Sequence, residues 1–193
     1  MINHISTVTR ACYFHLRRIC QAKRCLNEHC LRVLVQALVI SRLDYCNSVL
    51  VGLPKSTLQP LTSVLHSAAR VIKNLKPRDH ITPPLQQSRW LPIQARITFK
   101  ICLLMFNIFS GFAPQYMTSM VTQCSSITSR QGLRSASNGD FIHVRSHLQF
   151  GNRAFSVVGP QTWNNLPEYI RRSKACRQFK TNLKTHLFAL NYD

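Results

Sequence analysis

Over roughly the first 120 residues, apolar side chains return every three or four positions, the spacing of one helix face. Ile5, Val8, Cys12, Leu16 and Ile19 define the first such face, while Arg10, Arg17 and Arg24 recur seven apart as a separate basic stripe. A second helix takes Asn27 as its cap and runs through Leu31, Leu34, Val35, Leu38 and Val39. It stops at Gly52-Leu53-Pro54. A third begins near Ser56 and continues through Leu61, Leu65, Ala68, Ala69 and Ile72. Pro60 is expected near its first turn, where the missing N–H costs least. Thr82 caps, and Pro83 opens, a short helix that Trp90-Leu91-Pro92 breaks. Residues 93–110 predict a strongly apolar helix with Ile97, Ile101, Leu104, Met105 and Ile108 on one face, ended by Ser110-Gly111 and Pro114.

The pattern then changes. Residues 122–140 are rich in Ser, Thr and Gly without periodicity, which predicts an exposed linker. Residues 141–149 (FIHVRSHLQ) alternate as a strand would, and RAFSVV (153–158) offers it a partner. A helix over about 174–190 closes the chain, with Phe179, Leu183 and Leu187 on one side. Lys174, Arg177, Lys180 and Lys184 line another. The expected fold is therefore mainly α: a helical bundle over 1–121, a linker over 122–140, and a small α+β tail over 141–193. That tail is expected to hold a short β-hairpin and the C-terminal helix.

Charge alters the picture more than hydropathy does. The chain carries 25 Lys and Arg against 6 Asp and Glu, a formal net charge of +19. Such an excess repels itself unless a polyanion neutralises it, which makes nucleic acid the first candidate partner. An anionic membrane surface is the second, and unspecific adhesion is the plain alternative. VLVQALVI (33–40) and ICLLMFNIF (101–109) fall far short of the ~20 apolar residues a membrane helix needs. The first twenty residues lack a secretory pattern and carry Arg10, Arg17 and Arg18, so a soluble, intracellular protein without a membrane partner is expected.

Candidate chemistry is sparse. Cys12, Cys20, Cys25 and Cys30 do not have the paired spacing of a tetrahedral zinc site, so reduced cysteines packing as small apolar groups are expected. Two-metal polymerase or nuclease chemistry needs carboxylates converging on ions ~3.5–4 Å apart. The acids are Glu28, Asp44, Asp79, Asp140, Glu168 and Asp193, with no two closer in sequence than 16 residues. Each has a local structural use: Glu28 in a helix first turn, Asp79 in a turn, and Asp44 neutralising Arg42, Arg32 or Lys55 or bonding a loop amide. Phosphate-loop, dinucleotide and nucleophile-elbow motifs are missing. No catalytic residue, metal, cofactor or small-molecule substrate is expected, and nothing in the pattern fixes an oligomeric state.

Several stretches, taken together, carry a resemblance. LDYCNSVLVGLPK (43–55), AAR (68–70), RDHITPPL (78–85) and RWLPIQARITFKI (89–101) resemble segments of non-LTR, LINE-type retrotransposon polyproteins of the jockey-like group. APQYM (113–117), GLRSAS (132–137), GNRAFSVVGPQTWNNLP (151–167) and FKTNLKTHLF (179–188) continue it, in the family's order and across essentially the whole chain. The resemblance is to the part that follows the reverse transcriptase catalytic core. It implies a helical, thumb-like domain over about 1–121 and a C-terminal tail domain. Nothing in the chain matches the family's palm aspartates, so no catalytic residue carries over. Pro60 and Leu65-His66 depart from the charged or amide residues the family carries on the third helix.

Two functional expectations follow. One is a non-catalytic module that grips the phosphate backbone of RNA or an RNA–DNA hybrid. Its candidate residues are Arg10, Arg17, Arg18 and Arg24 on the first helix, then Arg70, Lys73, Lys76 and Arg78. Lys174, Arg177, Lys180 and Lys184 complete the set, and for each the bland alternative is a solvated basic face. The other expectation is an inactive, truncated retroelement remnant with no activity of its own. Trp90 and Trp163 could stack on bases, but their Trp-Leu-Pro and Trp-Asn-Asn-Leu-Pro surroundings favour core anchors.

Overall fold

A computed structural model describes residues 1–128, 138–146, 148 and 150–192. The described residues are mainly helical. By their contacts they divide into two compact units, Met1–Ile97 with Phe188–Asp193, and Thr98–Leu187. Both boundaries fall inside continuous helices, whereas the composition shift at 122–140 lies within the second unit.

In the first unit, α1 (Ile2–Ala22) buries Ile5, Cys12, Leu16 and Ile19, the face its spacing predicts. Fully burying each aliphatic side chain contributes about 1.5–3 kcal/mol, so this stripe sets how α1 lies on its neighbours. Asn27 caps α2 (Glu28–Val35) by accepting the Cys30 N–H at 2.8 Å. The helix then widens into a π-helical turn, Gln36–Ile40, before α3 (Ser41–Asp44). Widening the turn disturbs the regular carbonyl ladder, and the buried Cys12 thiol donates to Val39 O at 3.8 Å. Burial pushes that thiol up to about 11, so Cys12 remains a packed donor.

The run ends before Gly52. Tyr45 is extended, Cys46 turns left-handed at φ 51°, and a 3-10 turn over Asn47–Leu50 follows. Leu58, Leu61, Val64, Leu65, Ala68, Ala69 and Ile72 are buried on α4 (Lys55–Lys73), which packs chiefly against α1. Pro60 is its sixth residue, one turn deeper than the sequence suggests, so one main-chain hydrogen bond is absent there. In α5 (Thr82–Gln87) the cap moves one residue back to Ile81, with Pro83 just inside the start. The C-terminal residues belong to this unit: the Tyr192 hydroxyl donates to Trp90 O at 2.8 Å, and Arg89 lies 5.6 Å over the Phe188 ring.

The second unit contains most of α6 (Ile93–Phe109), then α7 (Gln115–Thr118), α8 (Phe155–Asn164), α9 (Glu168–Arg171) and most of α10 (Cys176–Tyr192). No strand forms among the described residues, so the expected β-hairpin is not present there. Phe141 makes a single antiparallel bridge to Gln123, residues 142–146 are irregular, and 147 and 149 lie outside the described residues. RAFSVV divides between a 3-10 turn, Gly151–Arg153, and the start of α8.

Packing favours a helix over a strand here. Alternation in RAFSVVGP suits a strand, yet α8 continues through Gly159-Pro160, and both are buried. A Cβ on Gly159 would come 2.7 Å from Met105 Sδ, so glycine permits this close approach between helices. The expected linker is likewise tied down at its ends: Cys124 N–H donates to Asp140 O at 2.9 Å and Ile142 N–H to Thr122 O at 2.8 Å. Residues 129–137 of that segment lie outside the described residues.

Candidate nucleic-acid interface

The acids determine which cations remain available for a ligand. Glu28 accepts Lys73 Nζ at 2.7 Å and Arg32 Nη2 at 2.9 Å. The hydrogen bond from Lys73, with help from Arg32, holds its carboxyl below the usual carboxylate range. Both Asp44 oxygens accept Arg96 Nη1, at 2.8 and 2.9 Å, and Arg96 Nε is spent on Leu91 O at 2.9 Å. Asp44 thus neutralises a cation, although its partner comes from a helix 52 residues away and not from the nearby Arg42, Arg32 or Lys55.

Asp79 accepts the Lys76 N–H at 2.7 Å and closes the turn after α4. Asp140 pairs with Arg171, which also donates to Asn138 O at 3.1 Å, and Glu168 pairs with Arg172 one helical turn on. Among the described residues no three His, Cys, Asp or Glu side chains come together as metal ligands would.

Against this background α1 has no acidic residue, and Arg10, Arg17 and Arg18 are all exposed on it. Arg24 is not on α1. The helix ends at Ala22, and Arg24 occupies a 3-10 turn, Lys23–Cys25, so the seven-residue stripe breaks before its third member. That turn meets the end of α4: Lys23 Nζ donates to Asn74 Oδ1 at 2.8 Å, and Asn74, at φ 54°, stops α4. Lys73 reaches Glu28 at the start of α2, and Glu28 also holds Arg32.

The tertiary fold therefore gathers Lys23, Arg32 and Lys73 where α1 ends, α2 begins and α4 ends, with the exposed Arg24 next to Lys23 in its turn. Lys76 and Arg78 follow in exposed turn positions. Lys23 and Arg32 escape a reading by helix faces. Only the contact of the end of α4 with the end of α1 and the start of α2 reveals them.

The remaining candidates differ in standing. Arg70 is half-buried, with its Nε buried and without a hydrogen-bond partner, so its head is less available than the others. His66, one turn earlier and half-buried, is pulled down by burial first and by the Arg70 charge second. Leu65 is core, so the departures at Leu65-His66 lie toward the interior of the unit. In the second unit Lys174 precedes α10 instead of riding on it, while Arg177, Lys180 and Lys184 are exposed along that helix.

Both tryptophans are anchors. Trp90 is buried, and Trp163 is fully enclosed, donating its Nε1–H to Gly139 O at 3.0 Å.

Two of the recesses among the described residues of the first unit border α1 and its arginines. One, of about 530 Å³, lies between the starts of α1 and α4, with Ile5, Ser6, Thr9, Arg10 and Thr57 among its walls. The other, of about 340 Å³, lies between α1 and α2 and is lined by His15, Arg18, Ile19, Ala22, Leu34 and Leu38. No described helix is long and apolar enough to cross a membrane. No protein-family model, curated protein or solved structure matches the chain.

Proposed function

We propose that the chain is a non-catalytic nucleic-acid-binding fragment, derived from the region after the catalytic core of a non-LTR retrotransposon reverse transcriptase. It grips the phosphate backbone of RNA or an RNA–DNA hybrid through its basic helical faces. The observation that carries this reading is the junction of Lys23, Arg24, Arg32 and Lys73, which outnumber its one acid, Glu28, beside an α1 that has no acid. Cations held side by side meet consecutive phosphates without reading sequence, and each contact releases counterions.

The test is a filter-binding titration against RNA, single-stranded DNA and an RNA–DNA hybrid at several salt concentrations. Affinity is expected to fall steeply as salt rises, and a flat response overturns the proposal. Templated primer extension in the same mixture with magnesium would overturn its non-catalytic part.

A second reading, a remnant that needs absent partner domains, draws on the large apolar groups open to solvent. Phe112 is 77% exposed and Phe150 82%. A broad, non-cooperative thermal melt followed by circular dichroism would favour it, and a sharp transition would favour the module.

A further inference from the structure

Phosphate contacts leave one part of α1 without a use. Phe14 is 55% exposed on α1, off the face that buries Ile5, Cys12, Leu16 and Ile19. The Arg18 guanidinium lies 5.7 Å from the ring centroid, and His15 meets the ring edge-on at 5.5 Å. Arg10 precedes Phe14 by four residues and Arg17 follows by three, so both share its side of the helix. His15 and Arg18 also line the 340 Å³ groove, together with Ile19, Ala22, Leu34 and Leu38. The aromatic platform thus has two arginines on one side and Arg18 with the apolar recess on the other.

Charge and shape select the occupant. The site has no acid from α1, and the acid of α2, Glu28, is held by Lys73 and Arg32. An anionic partner with flat apolar groups at regular intervals matches it. Single-stranded nucleic acid has this chemistry, because its bases are free to leave the stack and meet an aromatic face. A duplex keeps them inside.

We infer that a nucleobase of a single strand stacks at Phe14, beside the groove between α1 and α2, while Arg10, Arg17 and Arg18 meet the flanking phosphates. The inference rests on the phosphate-binding reading and adds a base site to it. Stacking tolerates any base, so the site selects strandedness over sequence.

The test compares single-stranded oligouridylate with inorganic polyphosphate, which has the charge and no bases. Phe14→Ala is expected to weaken oligouridylate binding about tenfold, the order of one stacked base, and to leave polyphosphate binding unchanged. Phe14→Trp is expected to keep the affinity. Its added emission should be quenched by oligouridylate and not by polyphosphate, a signal that a merely structural ring would not produce.

Equal losses on both ligands, or no loss on either, overturn the base site and leave the phosphate grip standing. Failure of both ligands to bind the unaltered chain removes the phosphate reading and the base site with it. Phe14-dependent capture of an acidic, leucine-rich helical peptide, with oligouridylate indifferent to Phe14, would make the groove a protein-docking site and overturn the inference.

Discussion

The two units are held together by different chemistry. In the first, the core is aliphatic and repeats at helical spacing: Ile5, Leu16 and Ile19 on α1, then Leu58, Leu61, Val64, Leu65 and Ile72 on α4. Its ion pairs sit near the surface, with Glu28 half exposed between Lys73 and Arg32. In the second, aromatic rings from separated segments meet one another. Phe106 stacks on Phe179 at 4.3 Å, and Trp163 lies 5.9 Å from Phe179 and 6.1 Å from Phe141. Its main ion pair is largely enclosed: Arg171 is 8% exposed and binds Asp140 and the carbonyl of Asn138. A periodic aliphatic stripe announces itself locally, whereas an aromatic cluster assembled from distant loops and helices does not.

That contrast is tested most severely at Trp163. Trp163→Ala is expected to cost about 3–5 kcal/mol, because it opens a cavity and leaves Gly139 O without its donor. A guanidinium melt of the variant checks this. A loss below about 1 kcal/mol would mean that the aromatic cluster does not organise the second unit.

Next in size is Arg171→Met, which strands Asp140. Removing one member of a fully buried pair costs about 3–5 kcal/mol. The Asp140 side chain is 22% exposed, so the expected loss is nearer 2 kcal/mol. Adding Asp140→Asn should return part of it, and a double-mutant cycle reads the coupling.

The smallest effect belongs to the exposed cluster of the first unit. The folded Glu28 carboxyl is a stronger acid than an unfolded one, so its contribution is complete above the ordinary value of 4.5 and lost as pH falls through the lower folded value. Glu28→Gln should remove that acid-limb dependence and little else. Titrating stability against pH at low and high salt checks it, and high salt should flatten the difference.

Legibility followed the same division. The faces of α1, α4, α6 and α10 could be read from spacing, because a helix buries what its own period aligns. Asn27 could be read as a cap because a side-chain oxygen three residues before an orphan N–H is a local event. RAFSVV could not. Its alternation matches a strand, yet it opens a helix that continues through the buried Gly159-Pro160, with Gly159 close against Met105.

The interface was legible in part. Arg10, Arg17 and Arg18 stand on α1 as their spacing requires, but Arg24 and Lys174 fall outside the helices that the periodicity extends to them. Phe14 gives no signal in the sequence, being one apolar residue off a regular face. Its importance comes from solvent exposure, the Arg18 contact and the neighbouring groove.

By itself the sequence determined the mainly helical class, the buried helix faces, the excess of cations and the scarcity of acids, since these depend on residue type and short-range period. The tertiary structure alone decided that Glu28 meets Lys73, Asp44 meets Arg96 and Asp140 meets Arg171, and so which cations stand together at the junction of α1, α2 and α4. It also decided that the tail is helical and aromatic. Both are matters of proximity between residues tens of positions apart, where local propensity has no hold and packing chooses the partner.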